Sequence, residues 1–538
     1  MSESCNATYN AAAWLVDRHV AAGNGGRVAV VCGDEVQTYA DVQRQVFRVQ
    51  HALHALGVRR EERVALVLDD EPAFPAWFLG TMRSGAVPVA LSTMLTGEEL
   101  GAIIDDARAA VVVLSGGYAR LLPAIAHCAP DLRAAVVVGE AEAEAEAEAE
   151  AEAEAVVGAV VEAVVEVLRW DDLADDSEAA LASTQADSPA FWLYSSGTTG
   201  FPKGVMHRHA SLEATAVTYA SSVLGITAED RCFSAAKLFF AFGLGNSLTF
   251  PFSVGATTVL DPARATPAGV AASLRRHRPT LFFGSPGLLA ALLDADMPAD
   301  AASSVRLGAT AGEALPAEIH RRFTERYGFP VLDGIGSTEA LHIFLSNHLG
   351  EERPGTTGRP VEGYQVRLLD DDGLEVTDAG VPGYLHVSGE SIATGYWCRT
   401  EATRAAFRGE WLRTGDVYTR SADGYYQFLG RNNDMIKVGG IWVAPAEVEG
   451  VLVEHPDVLE AAVVGGRTEE GLETAVAFVV ARSGRSLDEA SLEAHCRSRM
   501  AAFKRPRRMV FVDELPKTAT GKVQRYQLRE RLADEAVP

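Results

Sequence analysis

The residues best suited to bind phosphate lie in one loop that follows a short apolar run. Residues 190–194 predict a buried strand. This strand leads into Tyr194-Ser195-Ser196-Gly197-Thr198-Thr199-Gly200-Phe201-Pro202-Lys203-Gly204. Glycines let backbone N–H groups approach phosphate oxygens, hydroxyls add neutral donors, and lysine adds a positive charge. The sequence therefore predicts a polyphosphate-binding loop.

Two other interpretations of this loop exist. A Walker A loop requires Gly-Lys-Ser/Thr after four free positions. Here Pro202 precedes Lys203 and Gly204 follows it, so no hydroxyl is placed on a nucleotide-bound magnesium. The Walker interpretation therefore fails. A flexible surface loop rich in Gly, Ser and Thr is the simpler alternative.

A second stretch combines a hydroxyl and carboxylates on a glycine-rich turn. A site that activates a nucleotide needs a carboxylate for magnesium and a hydroxyl near the α-phosphate. Thr338 and Glu339 supply these groups, and His342 follows three residues later. A lone histidine is more often structural, but a helical turn here would place it on the same side as Glu339. Asp416, on a Thr-Gly-Asp turn, is a candidate for the ribose, because one carboxylate accepts from two hydroxyls.

An aromatic segment between these motifs reads Lys237-Leu238-Phe239-Phe240-Ala241-Phe242-Gly243-Leu244-Gly245-Asn246. Such a composition is typical of core packing against a turn. Aromatic and small apolar walls also suit a pocket for a flat aryl ring. Composition alone does not separate the two interpretations.

Taken in order, these motifs resemble those of the adenylate-forming superfamily, which includes acyl- and aryl-CoA ligases, peptide-synthetase adenylation domains and luciferases. The resemblance covers nearly the whole chain. Residues 239–245 and 337–344 are most similar to the benzoate-CoA ligase group, in which a histidine at the place of His342 lines the aryl pocket. Other members often carry histidine where this chain has Phe240.

The resemblance implies a role for each matching residue. Nucleotide and cofactor contacts are expected from Ser195, Ser196, Gly197, Thr198, Thr199, Gly200, Lys203, Gly312, Glu313, Ala314, Asp333, Gly334, Thr338, Asp416, Arg431, Lys437, Gly439 and Gly440. The acid pocket is expected to be lined by Phe240, Ala241, Phe242, Gly243, Gly336, His342 and Ile343. The expected catalytic residues are Lys522, Thr338 and Glu339, with Glu339 as the magnesium ligand. A plain β-turn remains the alternative at residues 312–314.

The implied reaction uses ATP, magnesium and coenzyme A. The aryl carboxylate attacks the α-phosphate to give an acyl-adenylate and pyrophosphate, and Lys522 stabilises the developing charge. A small domain then rotates about Asn433, a position at which many relatives carry Asp or Lys. The rotation brings in the Gly439-Gly440 loop, past which a thiol displaces AMP.

Several alternatives stay open at this level. The thiol acceptor is either CoA or the phosphopantetheine of an acyl carrier protein, and the acid is benzoate, a hydroxybenzoate, an aminobenzoate or a heteroaryl acid. A P-loop phosphotransferase is disfavoured by Pro202 and Gly204. A non-catalytic protein that binds an aryl acid or a nucleotide is disfavoured because the expected polar residues are all present, namely Lys522, Glu339, Asp416 and Arg431.

The alternation of strand and helix patterns from residue 28 onward predicts an α/β protein with parallel sheets flanked by helices. Glycine and proline punctuation after residue 355 predicts a small distorted β-barrel or sheet. The resemblance places the domain boundary after residue 430. Residues 1–430 would form a large adenylation domain, and residues 431–538 a small mobile α+β lid domain.

Composition and charge limit the partners. The chain has 538 residues, 48% of them apolar and 22% charged, and a net charge of −25. Such a charge argues against binding to nucleic acid or to an anionic membrane. Eight glutamates alternate with alanine over residues 140–154, which predicts a solvated insertion at about 140–155. The basic run at 504–508 is either a solvated surface or a site for CoA phosphates or an acidic carrier protein.

The remaining features predict a cytoplasmic protein, and the sequence leaves open whether it is a monomer or a homodimer. The six cysteines lack a Cys-x-x-Cys pair, which argues against a zinc site and a disulfide framework. No apolar run approaches the roughly 18 residues of a membrane span, and the first ten residues lack a secretory pattern.

Overall fold

The computed structural model describes residues 8–139, 165–195, 201–438, 441–467, 473–517 and 523–535. The chain forms two compact units. The first unit comprises Met1–Arg264, Thr338–His342 and Glu390–Ala405. The second comprises Ala265–Ser337, Ile343–Gly389 and Ala406–Pro538. Residues 140–154 lie outside the described residues, and so do the predicted site residues Ser196, Gly197, Thr198, Thr199, Gly200, Gly439, Gly440 and Lys522.

The described strands are β1 Val28–Cys32, β2 Glu35–Thr38, β3 Arg63–Val67, β4 Val87–Ala90, β5 Ala109–Ser115, β6 Ala134–Val138, β7 Glu166–Arg169, β8 Pro189–Ser195, β9 Lys203–Arg208, β10 Arg231–Ser234, β11 Thr257–Leu260, β12 Leu281–Gly284, β13 Leu307–Thr310, β14 Val331–Gly336, β15 Ile343–Ser346, β16 Arg359–Pro360, β17 Gln365–Leu369, β18 Gly383–Ser388, β19 Gly395–Tyr396, β20 Phe407–Arg408, β21 Trp411–Arg420, β22 Tyr426–Arg431, β23 Ile436–Val438, β24 Ile441–Val443, β25 Val458–Arg467, β26 Glu473–Ala481 and β27 Arg508–Val512.

The described α-helices are α1 Tyr39–Ala55, α2 Ala73–Arg83, α3 Gly97–Ala107, α4 Leu122–Cys128, α5 Ala210–Thr215, α6 Ala241–Leu244, α7 Phe250–Val254, α8 Pro267–His277, α9 Pro286–Asp294, α10 Ala317–Tyr327, α11 Thr400–Ala406, α12 Pro445–Val453, α13 Glu489–Arg499 and α14 Arg525–Glu535. Wider π-helical turns lie at Ala13–Asp17, Val20–Asn24, Ala216–Ser221 and Gly245–Thr249. Tighter 3₁₀ turns lie at Gly116–Leu121, Trp170–Asp172, Ala299–Ala302 and Ala502–Lys504.

The first unit is built on parallel sheet. One sheet has the order β19-β9-β8-β4-β3-β5-β6-β7, in which β3 to β8 are parallel to one another, β9 pairs antiparallel with β8, and β19 pairs antiparallel with β9. Side chains of β3 alternate between two cores, with Val64 and Leu66 on the side of α2, and Ala65 and Val67 on the side of α3. Because both faces are covered, the strand is apolar throughout. The other strands of this unit pair in the order β10-β11-β1-β2.

The second unit combines three strand groups. β12, β13 and β14 are parallel, β15 pairs antiparallel with β14, and β16 pairs antiparallel with β15. A curled antiparallel sheet has the order β17-β18-β21-β20, with β22 also on β21. The C-terminal part has the β23-β24 hairpin and the sheet β25-β26-β27, whose core includes side chains of α14.

The predicted fold class is confirmed. Parallel sheets with covering helices, a small curled sheet and a small C-terminal α+β region are all present. Among the described residues, every helix is too short or too polar to cross a bilayer.

Candidate active site

The two strands that flank the predicted phosphate loop form a hairpin of the first unit. β8 ends at Ser195 and β9 begins at Lys203, and these two residues lie directly opposite each other. The preceding pair is Tyr194 opposite Gly204. A Cβ at Gly204 would lie 3.2 Å from the Tyr194 ring, so the glycine lets the aromatic ring cover the base of the hairpin.

Asp106 anchors this hairpin. Its Oδ2 accepts from the Tyr194 hydroxyl at 2.8 Å, and its Oδ1 accepts from the Arg399 guanidinium at 2.7 Å. Its backbone carbonyl accepts from the Trp397 indole at 2.8 Å. Burial and the Asp106 carboxylate raise the pKa of Tyr194, so the hydroxyl remains a donor. Asp106 lies near the end of α3, and no sequence motif marks it as part of the site.

Thr338 and Glu339 lie on a turn of the first unit. The Thr338 carbonyl is 2.8 Å from Nε2 of His207, whose pKa burial lowers to about 4. The Glu339 carboxylate accepts from the Tyr396 hydroxyl at 2.8 Å. Leu341 adopts a φ of 66°, a left-handed conformation that is uncommon for a branched side chain. This backbone conformation, in place of a continuing helical turn, leads the chain into His342.

His342 lies in an aromatic cluster of the first unit. Its ring centroid is 5.4 Å from that of Phe242, 4.5 Å from that of Phe250 and 5.1 Å from that of Tyr219. Burial lowers the pKa of His342 to about 3, partly opposed by the backbone of Phe242, so the ring is neutral at pH 7. Phe242 and His342, both predicted to line the acid pocket, are therefore neighbours in the first unit.

Two glycines let the aromatic segment approach its neighbours. A Cβ at Gly243 would lie 2.0 Å from the Lys237 carbonyl oxygen. A Cβ at Gly245 would lie 2.4 Å from the His342 ring. Gly243 was among the predicted pocket residues, whereas Gly245 was not. Phe240 and Ala241 start the short helix α6, with Phe240 half-buried and Ala241 buried.

A buried carboxylate holds the start of this segment. Oδ1 of Asp70 accepts from the Leu238 N–H at 2.9 Å, and Oδ2 lies 3.9 Å from the Lys237 ammonium. That ammonium also donates to the carbonyls of Asp261 and Ala263, at 2.5 and 2.7 Å. Burial raises the pKa of Asp70 to about 7, and Lys237 opposes part of this shift. Sequence analysis did not identify Asp70.

In the second unit, the predicted adenine turn follows β13. Gly312 has a φ of 99°, which favours glycine, and Glu313 and Ala314 come next. Oε1 of Glu313 accepts from the Val523 N–H at 3.0 Å. Val523 directly follows Lys522, so this turn binds the chain beside the predicted catalytic lysine.

β14 and β15 carry four further predicted residues. Gly336 lies opposite Ile343, and a Cβ at Gly334 would lie 2.8 Å from the Ile343 side chain. Asp333 is buried on the same strand, and burial raises its pKa well above the usual carboxyl range. Backbone groups of Leu315 and Gly334 oppose part of that shift. The neutral form of Asp333 is therefore favoured.

The predicted ribose carboxylate lies on a strand pair of the second unit. Asp416 on β21 lies opposite Arg431 on β22, and Oδ1 of Asp416 is 3.2 Å from the Arg431 Nε. The same guanidinium donates to the Thr414 carbonyl at 3.0 Å. Gly415, with a φ of 82°, lies within β21, so Asp416 is carried by a strand and the predicted tight turn is wrong. The structure thus joins two residues that the sequence analysis named separately.

The predicted hinge lies in the turn after β22. Asn433 is exposed, and the carboxylate of the neighbouring Asp434 accepts from Arg529 at 2.6 Å.

Lys437 lies on β23, with its ammonium 5.3 Å from the centroid of the exposed Trp442 ring. In the basic run at 504–508, the Lys504 ammonium forms an ion pair with Glu447 at 2.6 Å. The positive charge of Lys504 is therefore already paired within the second unit.

The chain matches the sequence profiles of two protein-family domains. The profile described as "AMP-binding enzyme" matches residues 17–397, and the profile of the AMP-binding enzyme C-terminal domain matches residues 447–522. The chain belongs to the AMP-binding enzyme family. Its predicted place in the adenylate-forming superfamily is therefore confirmed.

Two curated relatives within the AMP-binding enzyme family are similar over nearly their full lengths. The benzoate-CoA ligase of Thauera aromatica is 44% identical, with 97% of this chain and 96% of the relative covered. The 4-hydroxybenzoate-CoA/benzoate-CoA ligase of Rhodopseudomonas palustris is 42% identical, with coverage of 97% and 94%. The predicted similarity to the benzoate-CoA ligase group is confirmed.

Two solved AMP-binding enzyme structures have the same fold. The anthranilate CoA ligase AuaEII in complex with anthranoyl-AMP matches with a TM-score of 0.91 at 38% identity, covering 99% of this chain and 98% of that one. A benzoate CoA ligase from Burkholderia xenovorans LB400 matches with a TM-score of 0.85 at 42% identity, covering 97% and 100%.

Proposed function

We propose that this chain is an aryl acid ligase that activates benzoate, or a close analogue, with ATP and transfers the acyl group to the thiol of CoA. Pyrophosphate leaves in the first step and AMP in the second. The observation that carries the proposal is the aromatic cluster around His342, three residues after the Glu339 carboxylate on the same turn of the first unit.

The cluster suits an aryl ring without a charged substituent. Phe242 stacks on His342 and Phe250 meets it edge-on, so the surroundings of His342 are apolar, and His342 is neutral because burial lowers its pKa to about 3. A benzoate carboxylate is already ionised at neutral pH, so the first step requires no general base. The residues expected to line this pocket are Phe240, Ala241, Phe242, Gly243, Gly336, His342 and Ile343.

Glu339 has the chemistry of a magnesium ligand. Magnesium in ATP sites is bound by one or two carboxylates together with substrate phosphates. Among the described residues only the Tyr396 hydroxyl donates to this carboxylate, and no group of three His, Cys, Asp or Glu forms a dedicated metal cage. When bound, magnesium supplies positive charge against the phosphates. Thr338 and Lys203 are proposed to bind the phosphate oxygens directly.

The second unit supplies the proposed nucleoside contacts. Asp416 accepts from the ribose hydroxyls and Arg431 holds its carboxylate in place, since the two are already opposed across a strand pair. The backbone at Gly312, Glu313 and Ala314 would line the adenine, with Asp333, Gly334 and Lys437 as further contacts.

The second step involves the C-terminal part of the chain. We place the domain boundary after residue 430, with Asn433 as the hinge, Lys522 acting in adenylation, and Gly439 and Gly440 lining the thiol path. The Val523 N–H, on the residue that follows Lys522 in the chain, donates to Glu313 of the proposed adenine turn, which supports a role for this part of the chain near the nucleotide. CoA is the proposed acceptor, and an acyl carrier protein is the alternative.

Product analysis tests this function. The purified protein is incubated with magnesium-ATP, CoA and one acid from a panel of benzoate, hydroxybenzoates, 2-aminobenzoate and fatty acids, and thioesters are measured by mass spectrometry. Benzoyl-CoA is the expected main product. If acyl-adenylate accumulates with CoA present and is consumed only when a carrier protein is added, the carrier protein is the acceptor in place of CoA. Preferential turnover of 2-aminobenzoate or a hydroxybenzoate would change the assigned ring substituent.

A further inference from the structure

A short segment around Tyr396 is bonded to the strand that begins with Lys203. β19 pairs antiparallel with β9, with Tyr396 opposite Val205. The Trp397 N–H donates to the Gly204 carbonyl at 2.8 Å, and the Thr394 N–H donates to the Met206 carbonyl at 2.9 Å. The position of the segment is therefore fixed relative to one end of the phosphate loop.

The same segment is bonded to the turn that carries Glu339. The Ala393 N–H donates to the Glu339 carbonyl at 2.8 Å, and the Ser391 hydroxyl donates to the Ala340 carbonyl at 2.7 Å. Residues 391–397 thus connect two phosphate-binding motifs that are far apart in the sequence.

The Tyr396 side chain reaches the functional group of each motif. Its hydroxyl donates to Oε1 of Glu339 at 2.8 Å, and its ring centroid is 5.1 Å from the Lys203 ammonium. The Tyr396 side chain is buried, and the backbone N–H of Tyr396 donates to the Thr403 hydroxyl at 3.0 Å. Among the residues that the structure describes, Lys203 and Glu339 are each in contact with Tyr396 and form no ion pair with each other.

We propose that Tyr396 is a positioning residue that orients Glu339 and Lys203 for magnesium-bound ATP. The hydroxyl fixes the carboxylate, and the ring faces the ammonium without neutralising its charge, so that both groups keep their charge for metal and phosphate. This inference rests on the proposed function for the identity of the nucleotide. Comparing variants of the hydroxyl and of the ring separates the two contacts.

Isothermal titration of ATP into the full-length protein, once with magnesium and once with EDTA, tests the proposal. Tyr396→Phe removes the hydroxyl and keeps the ring. We expect its affinity for magnesium-ATP to fall roughly 10-fold, the effect of one lost hydrogen bond to a charged group, with its affinity for ATP in EDTA unchanged. Tyr396→Leu also removes the ring, so its affinity in EDTA should fall about 3-fold or more.

Tyr118→Phe is the matched control, because the Tyr118 hydroxyl donates to a carboxylate of the same unit, Asp69, at 2.9 Å. It should leave both affinities unchanged. Equal weakening of Tyr396→Phe with and without magnesium, or no weakening in either, would overturn the proposal. Pyrophosphate release by the wild type tests the proposed function separately, since ATP binding without aryl-acid-dependent release would reject only that function. Absence of ATP binding by the wild type would overturn both.

Discussion

The two candidate binding regions are held in place by different forces. In the first unit, the His342 ring is fixed by burial and by neighbouring aromatic rings, and Gly245 leaves just enough room for it. In the second unit, Asp416 and Arg431 are fixed opposite each other by a strand pair and an ion pair. The first region should therefore be sensitive to added volume and the second to lost charge.

The largest effect is expected from Asp416→Ala. The Asp416 side chain is buried, and its removal deletes the proposed ribose acceptor and leaves Arg431 without that partner. Truncating one member of a hydrogen-bonded charge pair at a binding site costs about 2–5 kcal/mol, so the KM for ATP should rise roughly 30-fold or more. The KM for benzoate should stay within about 3-fold of the wild-type value.

Asp423→Ala is the control for that variant. Asp423 also pairs with an arginine of the second unit, Arg353, but both side chains are largely exposed. Exposed pairs contribute little, so steady-state kinetics should be unchanged. A parallel rise in the KM of benzoate and ATP for Asp416→Ala would contradict the separation of the two regions.

Gly245→Ala tests the sensitivity of the aromatic region to volume. The new Cβ would lie 2.4 Å from the His342 ring, so the ring must move. Overpacking costs about 1–3 kcal/mol, and kcat/KM for benzoate should fall roughly 10- to 100-fold while ATP affinity is retained. Gly117→Ala, whose Cβ meets no atom within 4 Å, should be silent. If the kinetics with benzoate are unchanged in Gly245→Ala, the His342 ring does not line the benzoate pocket.

Asp70→Asn tests the support beneath the aromatic segment through pH. Burial raises the folded-state pKa of Asp70 to about 7, above its unfolded value near 4. Between these values the folded state binds the extra proton, so wild-type stability falls as pH rises from about 4 to 7. Asparagine lacks this titration. The melting temperature of Asp70→Asn minus that of the wild type should therefore be larger at pH 7.5 than at pH 5. The same difference at both pH values would contradict the raised pKa of Asp70.

The smallest effect is expected from deleting residues 140–154. Their alternating Glu and Ala cannot bury a face without burying charge, which predicts a solvated insertion. Turnover with benzoate, measured by pyrophosphate release, should stay within about 2-fold of wild type. A drop beyond 10-fold would assign the repeat a role in catalysis or stability.

The sequence predicted those parts of the site that depend on local patterns. The apolar run at residues 190–194 predicted the strand that the structure gives as β8, and the loop after it was predicted from its Gly, Ser, Thr and Lys residues, although β9 already begins at Lys203. The alternation of apolar segments also predicted the α/β class. These patterns are short, and neighbouring residues of the chain supply most of their geometry.

The supporting residues could not be predicted because their partners are distant in the sequence. Asp70 binds the Leu238 N–H across 168 positions, and Tyr396 reaches Glu339 across 57. An aspartate in a loop and a tyrosine in a strand carry no signal of such contacts. Gly245 likewise gave no sign of its role, since only the packed His342 ring shows why a side chain is excluded there.

The most direct test of the central claim is ATP–pyrophosphate exchange in the absence of CoA, with benzoate and a medium-chain fatty acid compared at equal concentration. We predict exchange that depends on benzoate and on magnesium, at least about 100-fold faster than with the fatty acid, because the aromatic region fits a flat ring. Equal exchange with both acids, or exchange with neither benzoate nor any substituted benzoate, would contradict the account.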